Sequence, residues 1–292
     1  MIISKVLGGL GNQMFQYAAG RALALERGLP FRLDLSGFAG YGLHHGFLLQ
    51  QVFDCPVEAA KEADVRSILG WQHPAVIRRL AARPQLAALR RKGFVVEPYF
   101  HYWPGIKSVP DESYLSGYWQ SERYFRDVIS QIRKDFSFKA PLTGMNAELS
   151  DRIAASDAVS LHVRRGDYVS DNKNKAVYGH CSLDYYRAAI NYLADRVAQP
   201  TLFIFSDDPG WVKDNLKLDF SCHYVDHNQG IESYNDMHLM SLCKHHVIAN
   251  SSFSWWGAWL NSNPEKIVIA PANWFVNGNS TKDLILPGWI SL

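Results

Sequence analysis

Cysteine is scarce in this 292-residue chain. Cys55, Cys181, Cys222 and Cys243 lie far apart, and none belongs to a Cys-x-x-Cys pair. That spacing speaks against a zinc ribbon or a redox motif and fits a reducing compartment. Long apolar runs are missing too: none approaches the ~20 residues needed to span a bilayer. The opening MIISKVLGGLGNQ is interrupted at Lys5 and does not read as a signal peptide. Neither sign of charge dominates, with 30 Lys and Arg against 28 Asp and Glu. No basic block suggests nucleic acid, and there is no acidic tail. No GxxxxGK[ST] phosphate loop occurs, which disfavours NTP hydrolysis. No repeat of 20–50 residues or low-complexity tract is visible. A soluble protein of one large or two ordinary domains remains, and 47% hydrophobic residues can supply its core.

What is present has α/β character. Residues 2–7 read as a short buried strand, GGLGN as a tight turn, and residues 13–27 as a helix closed by Gly28. PFRLD reads as a second strand. Residues 58–92 carry helical patterns with many arginines, EPYFHYWPG is an aromatic loop, and YLSGYW reads as a strand. SERYFRDVISQIRKDF reads as one helix capped by Ser121. KAPLTG has linker composition, and the expected domains are residues 1–145 and 146–292. In the second half AVSLHV, TLFIF, HHVIA and KIVIA read as strands. Residues 182–197, residues 233–243 and SWWGAWL read as helices. Continuous apolar strands alternating with helices predict parallel sheets covered on both faces.

Ligands bind beyond the carboxyl ends of such strands. Three of these ends are polar: His162, Arg164, Arg165 and Asp167; Ser206, Asp207 and Asp208; Asn250, Ser251 and Ser252. Guanidinium forks match phosphate oxygens, and free N–H groups with hydroxyls at a helix start bind anions. Together they suit a diphosphate. An Arg–Asp pair steadying a turn at Gly166 would explain HVRRGDY as well. Asp207 and Asp208 read either as Mg²⁺ or Mn²⁺ ligands or as one carboxylate orienting an arginine and one capping a helix. The second reading is preferred, because the arginines already compensate charge. The tryptophans of SSFSWWGAWL read as core, leaving the serines for a ligand. His44-His45 and His245-His246 lack a third metal ligand, and His45 is a cleft candidate. Gly9 and Gly11 fit half of a dinucleotide fingerprint, with Met14 at the third glycine position and Asp34 as the ribose acid. An Asn12 amide brought into a cleft explains the same turn.

The ordered set GGLGNQMFQYAAGRALA, SGYWQSERYF, HVRRGDY, HCSLDYYRAAI, FSDD and NSSFSWWGAWL resembles the bacterial α-1,2-fucosyltransferases of glycosyltransferase family 11. The resemblance runs from residue 6 to about residue 260; segment 36–110 does not match strongly. It implies a GT-B fold, two Rossmann-like domains with parallel sheets facing across a cleft. It implies inverting transfer of L-fucose from GDP-β-L-fucose to the 2-hydroxyl of a terminal β-galactoside, with no cofactor and no metal. By motif position Arg164 contacts the β-phosphate and Arg165 supports it, with Asp207 nearby. The His162 backbone and Asp236 face guanine, Ser251 and Ser252 reach phosphate, and Asn12 faces the reacting sugar. Asp167, His45 and Asn12 are the candidates beside the acceptor hydroxyl, and Asn12 can orient but not deprotonate. The implied acceptor is lactose or a lipid-linked glycan. The implied location is the bacterial cytoplasm, with contact at the inner membrane surface. A sugar-binding module and an NAD-dependent oxidoreductase are the competing classes, separable by GDP and NAD⁺ titration.

Overall fold

The computed structural model describes residues 1–38, 45–165, 179–276, 278 and 280–292. Two compact units result: Met1–Lys139 with Lys282–Leu284, and Ala140–Thr281 with Ile285–Leu292.

In the N-terminal unit the elements are β1 (Ile2–Lys5), α1 (Leu10–Arg27), β2 (Phe31–Asp34), α2 (Leu49–Val52), α3 (Glu62–Leu69), α4 (Ala75–Ala81), β3 (Phe94–Val96), β4 (Ser113–Ser116) and α5 (Ile129–Asp135). The strands form one parallel sheet in the order β2-β1-β4-β3. Helix α1 begins earlier than its apolar pattern predicts, because Asn12 and Gln13 both donate their N–H to the Gly9 carbonyl. It ends where expected, on Gly28 at φ 64°. The segment after Ser121 is not one helix. Two 3₁₀ turns precede α5, and Ser121 caps only the first, accepting from the Arg123 N–H at 3.3 Å. Helix α5 is tied to α1 by Asp135, which accepts from the Tyr17 hydroxyl at 2.7 Å and pairs with Arg21 at 3.1 Å.

The C-terminal unit contains α6 (Met145–Ala154), β5 (Asp157–Val163), α7 (Leu183–Ala194), β6 (Pro200–Ser206), α8 (Pro209–Asn215), β7 (Ser221–Val225), α9 (Tyr234–Leu242), β8 (His245–Val247), α10 (Ser252–Leu260), β9 (Val268–Ala270) and β10 (Ile290–Ser291). Its sheet is parallel throughout, in the order β10-β9-β8-β5-β6-β7. Alternation sorts the strand side chains onto two buried faces. Val159, Leu161, Val163, Leu202 and Ile204 pack on Tyr185, Ala189 and Leu193 of α7. Ala158, Phe203 and Phe205 pack on Ile153 of α6 and on Leu239 and Met240 of α9. Trp255, Trp256 and Trp259 are buried in α10, as their pattern predicts. Both faces of the sheet are covered, so its strands read as unbroken apolar runs.

Candidate active site

Strand order decides where each sheet opens. In the C-terminal unit the chain runs outward from β5 through β6 and β7, then returns to lay β8 on the other side of β5. The order reverses between β5 and β8, and a crevice forms beyond the carboxyl ends at such a point. Parallel register sets Val163 beside Ser206. The next residues on the two strands, Arg164-Arg165 and Asp207-Asp208, therefore meet. Arg164 Nη1 lies 3.0 Å from Asp207 Oδ2, and the Arg165 backbone N–H donates to Asp207 Oδ1 at 2.8 Å. One carboxylate thus fixes both the side chain of Arg164 and the main chain that follows it. Asp208 caps α8 by accepting from the Trp211 N–H at 3.1 Å, and it faces Arg165 Nε at 3.5 Å. The Arg165 guanidinium stacks on the Trp211 ring, 3.5 Å from its centroid. Asp207 or Asp167 was the expected partner of the Arg165 side chain; Asp167 lies outside the described residues, and the side chain reaches Asp208 and Trp211. The two aspartates do what the preferred reading gave them, one orienting an arginine and the other capping a helix.

Across the same crevice, Ser251 caps α10 in an extended conformation, its Oγ accepting from the Phe253 N–H at 3.3 Å. Ser252 opens the helix, so two hydroxyls and the N–H groups of the first turn gather at its N-terminus. Asn250 is buried and anchors the turn through the Trp274 carbonyl at 3.1 Å. His162 is 6% exposed, near the Phe253 ring, and its Nδ1 has no hydrogen-bond partner among the described residues. Burial, reinforced by Arg164, pulls its imidazole down to about 3, so the ring is neutral at physiological pH.

Asp236 lies in the first turn of α9, which packs on α10. Its Oδ1 accepts from Asn228 Nδ2 at 2.8 Å. Asn228 exchanges hydrogen bonds with Asn146 at 2.8 and 2.9 Å, and the His227 ring lies 2.8 Å from Asn146 Oδ1. Loss of hydration pushes the Asp236 carboxyl up to about 7, against the pull of the Asn228 amide. Asn146, His227 and Asn228 were not anticipated. Asn146 lies 82 positions from Asn228, and only the fold joins it to the His227-Asn228 pair and, through Asn228, to Asp236.

The N-terminal unit repeats the logic at its own reversal, between β1 and β4. Asn12, in the first turn of α1, accepts from Gln120 Nε2 at 2.7 Å. Gly8 allows this: φ is 81°, and an added Cβ would sit 2.9 Å from Asn12 Nδ2. Gln13 donates to the carbonyls of Gly8 and Gly46 at 2.9 and 2.8 Å and accepts from Leu48 N–H at 2.9 Å. The segment after exposed His45 is thereby tied to the start of α1. Beyond β3, Glu97 accepts from the Tyr118 and Trp119 N–H groups at 2.6 and 2.9 Å, fixing Trp119 at φ 56° just before Gln120. Burial pushes the Glu97 carboxyl up to about 7 despite those two donors. Gln13, Glu97 and Gln120 were missed as site residues, although Gln120 stands inside the SGYWQ motif.

Asp34 is committed elsewhere. It accepts from Ser36 N–H at 2.9 Å, Tyr114 OH at 2.6 Å and Arg78 at 3.3 Å. Burial alone would raise its carboxyl, but these donors hold it below the usual range. Asp34 is thus buried and engaged within the fold, which speaks against the dinucleotide reading. Asp167 lies outside the described residues. Among the described residues no group of three His, Cys, Asp or Glu side chains is arranged to hold a metal ion, and no helix is long and apolar enough to cross a membrane.

The model of Glycosyl transferase family 11 matches residues 77–292. The chain belongs to that family. Among its relatives, the alpha-1,2-colitosyltransferase of Escherichia coli is 39% identical over 94% of this chain and 92% of its own length. The O-antigen biosynthesis glycosyltransferase WbnK of Escherichia coli is 32% identical, with 98% of each covered. Galactoside alpha-(1,2)-fucosyltransferase 1 of Rattus norvegicus is 25% identical over 98% of this chain and 71% of its own. In fold, the chain is similar to the fucosyltransferase NodZ from Bradyrhizobium, with a TM-score of 0.53, 14% identity, and 89% and 92% of the two chains covered. The α/β architecture of two parallel, Rossmann-like sheets is the GT-B fold of this family 11 glycosyltransferase.

Proposed function

We propose that this enzyme moves L-fucose from GDP-β-L-fucose to the 2-hydroxyl of a terminal β-galactoside, making an α-1,2 linkage with inversion and without a metal ion. The observation that carries the reading is Arg164, gripped by Asp207 at the β5/β8 crevice across from the serine-capped start of α10. As the sugar–phosphate bond stretches, negative charge grows on the leaving diphosphate. A guanidinium already oriented by a carboxylate, with helix N–H groups facing it, stabilises that charge without reorganising. Arg165, braced on Trp211, supports the same site. Ser251 and Ser252 reach phosphate. Asp236 accepts from the donor edge of guanine, aimed by Asn228, and the His162 backbone lies against the base. Asn12, steadied by Gln120, orients the reacting groups. Proton removal from the acceptor falls to Asp167 or His45.

The acceptor is lactose or a lipid-linked glycan, and the enzyme works in the cytoplasm. Recovery in the periplasmic fraction would refute that location. The 39% identity to a colitosyltransferase favours one second reading, GDP-colitose as donor. Colitose differs from fucose by a missing hydroxyl, so equal assays with both nucleotide sugars on lactose decide between them. Formation of Fucα1-2Gal in the presence of EDTA is the expected result. Turnover lost on chelation and restored by Mn²⁺ would overturn the metal-free assignment.

A further inference from the structure

The later part of the excursion between β2 and β3 takes no part in the site above, yet its charge is one-sided. From Val65 to Val96 it carries Arg66, Arg78, Arg79, Arg83, Arg90, Arg91 and Lys92 and not one Asp or Glu. The arginines noted between residues 58 and 92 thus form a local excess that the balanced total conceals. Packing sorts them. Arg78 turns inward to Asp34 and Tyr114. Arg90 donates to the carbonyls of Ala81, Ala82 and Arg83 at the end of α4. Buried Gln72 closes the excursion by donating to the Leu89 carbonyl and accepting from the Arg91 N–H. Arg79, Arg83, Arg91 and Lys92 stay exposed and make no ion pair among the described residues.

The same excursion exposes large apolar side chains. Val76 is 72% exposed, Leu89 61%, Trp71 58% and Leu80 42%. Val76 lies three residues before Arg79 and four before Leu80, so the three share one side of α4. The turns bearing Trp71 and Leu89 both pack against α4. Inward Arg78, Gln72 and Arg90 fasten the piece to the sheet and to itself, so this outer face is a defined surface and not an unfolded segment.

We infer that this face docks on a lipid bilayer bearing anionic headgroups. Aliphatic and tryptophan side chains enter the headgroup boundary, while arginine stems lie along it with their charges at the phosphates. Charge complementarity selects this occupant: Arg79, Arg83, Arg91 and Lys92 offer cations with no ion pair among the described residues, and anionic leaflets supply the opposite sign. Nucleic acid has no use for exposed Val76 and Leu80. The inference is independent of which sugar is transferred.

The test is flotation of the intact enzyme with vesicles of phosphatidylcholine alone, or of phosphatidylcholine mixed with phosphatidylglycerol. Arg79→Gln/Arg83→Gln and Val76→Ser/Leu80→Ser are run beside it, with circular dichroism and GDP binding as controls. Binding to the mixed vesicles, weakened by salt, is expected. Each cation at such a surface strengthens binding roughly fivefold, so the arginine pair costs about 25-fold. The serine pair also weakens binding, and neither pair alters GDP affinity. Failure of the intact enzyme to float with mixed vesicles at low salt would overturn the inference. So would flotation that survives both double substitutions. Loss through the arginine pair alone would reduce the contact to a purely ionic one and refute bilayer insertion. Tighter binding of a DNA duplex than of mixed vesicles would reassign the face to nucleic acid.

Discussion

If Asp236 holds the base, nucleotide recognition is tied to pH in the physiological range. Its carboxyl titrates near 7 because burial opposes ionisation more strongly than the Asn228 amide favours it. Guanine presents N–H donors along one edge, and only the ionised carboxylate accepts from them at both oxygens. If that contact binds the base, affinity for GDP-fucose follows the ionised fraction, about tenfold weaker at pH 6 than at pH 8. GDP-fucose suits the measurement, since its diphosphate is esterified at both ends and does not titrate in this window. Asp236→Asn removes the charge and turns one acceptor into a donor. A charge-assisted hydrogen bond contributes about 1.5–3 kcal/mol, so a loss of roughly 10- to 160-fold in Kd is expected, with the pH dependence gone. Isothermal titration at pH 6, 7 and 8 reads both effects. The unliganded protein supplies a check on sign. A carboxyl raised from 3.8 to about 7 binds more protons folded than unfolded between those values. Stability therefore falls as pH rises through that window, and Asp236→Asn flattens the fall relative to wild type. A GDP-fucose affinity that is flat from pH 6 to 8 in wild type, or intact in Asp236→Asn, refutes this placement of the base.

Arg164→Lys keeps the charge but loses the planar fork that Asp207 orients, so kcat should fall on the order of 10²–10³ with an unchanged circular dichroism spectrum. Arg165→Lys, which loses the Trp211 stack, should cost less turnover and show more in Tm; the reverse pattern would exchange their roles. Gln120→Ala frees the Asn12 amide from its 2.7 Å partner and should lower kcat with little change in GDP-fucose KM, and Gln120→Glu should not restore it, because a carboxylate cannot donate to Asn12 Oδ1. Trp256→Ala empties a fully buried site in α10 and should destabilise by about 3–5 kcal/mol in a urea melt. A loss below about 1 kcal/mol would show that the site collapses or is not core.

The resemblance in sequence extended well beyond the strands. Unbroken apolar runs such as AVSLHV and TLFIF required strands buried on both faces, and Tyr185, Ala189 and Leu193 at helical spacing required α7. These are local periodicities, readable without knowing what packs on what. The same local logic put polar residues at the strand ends and a capping carboxylate at Asp207-Asp208, because a cap bonds to an N–H only two or three residues away. It failed where a contact spans the chain. Strand order is not written in any one strand, so the β5/β8 and β1/β4 reversals appeared only in the folded sheets. Register, not pattern, turned Arg164 to Asp207 and Arg165 to Trp211. Gln120 reaches Asn12 across 108 positions and Asn228 reaches Asn146 across 82, and a polar side chain carries no mark of so distant a partner. Sequence determined which segments form elements and which chemical groups stand at their ends. Tertiary structure decided which of those groups meet, because distance along the chain says nothing of distance in space once strands pair out of order.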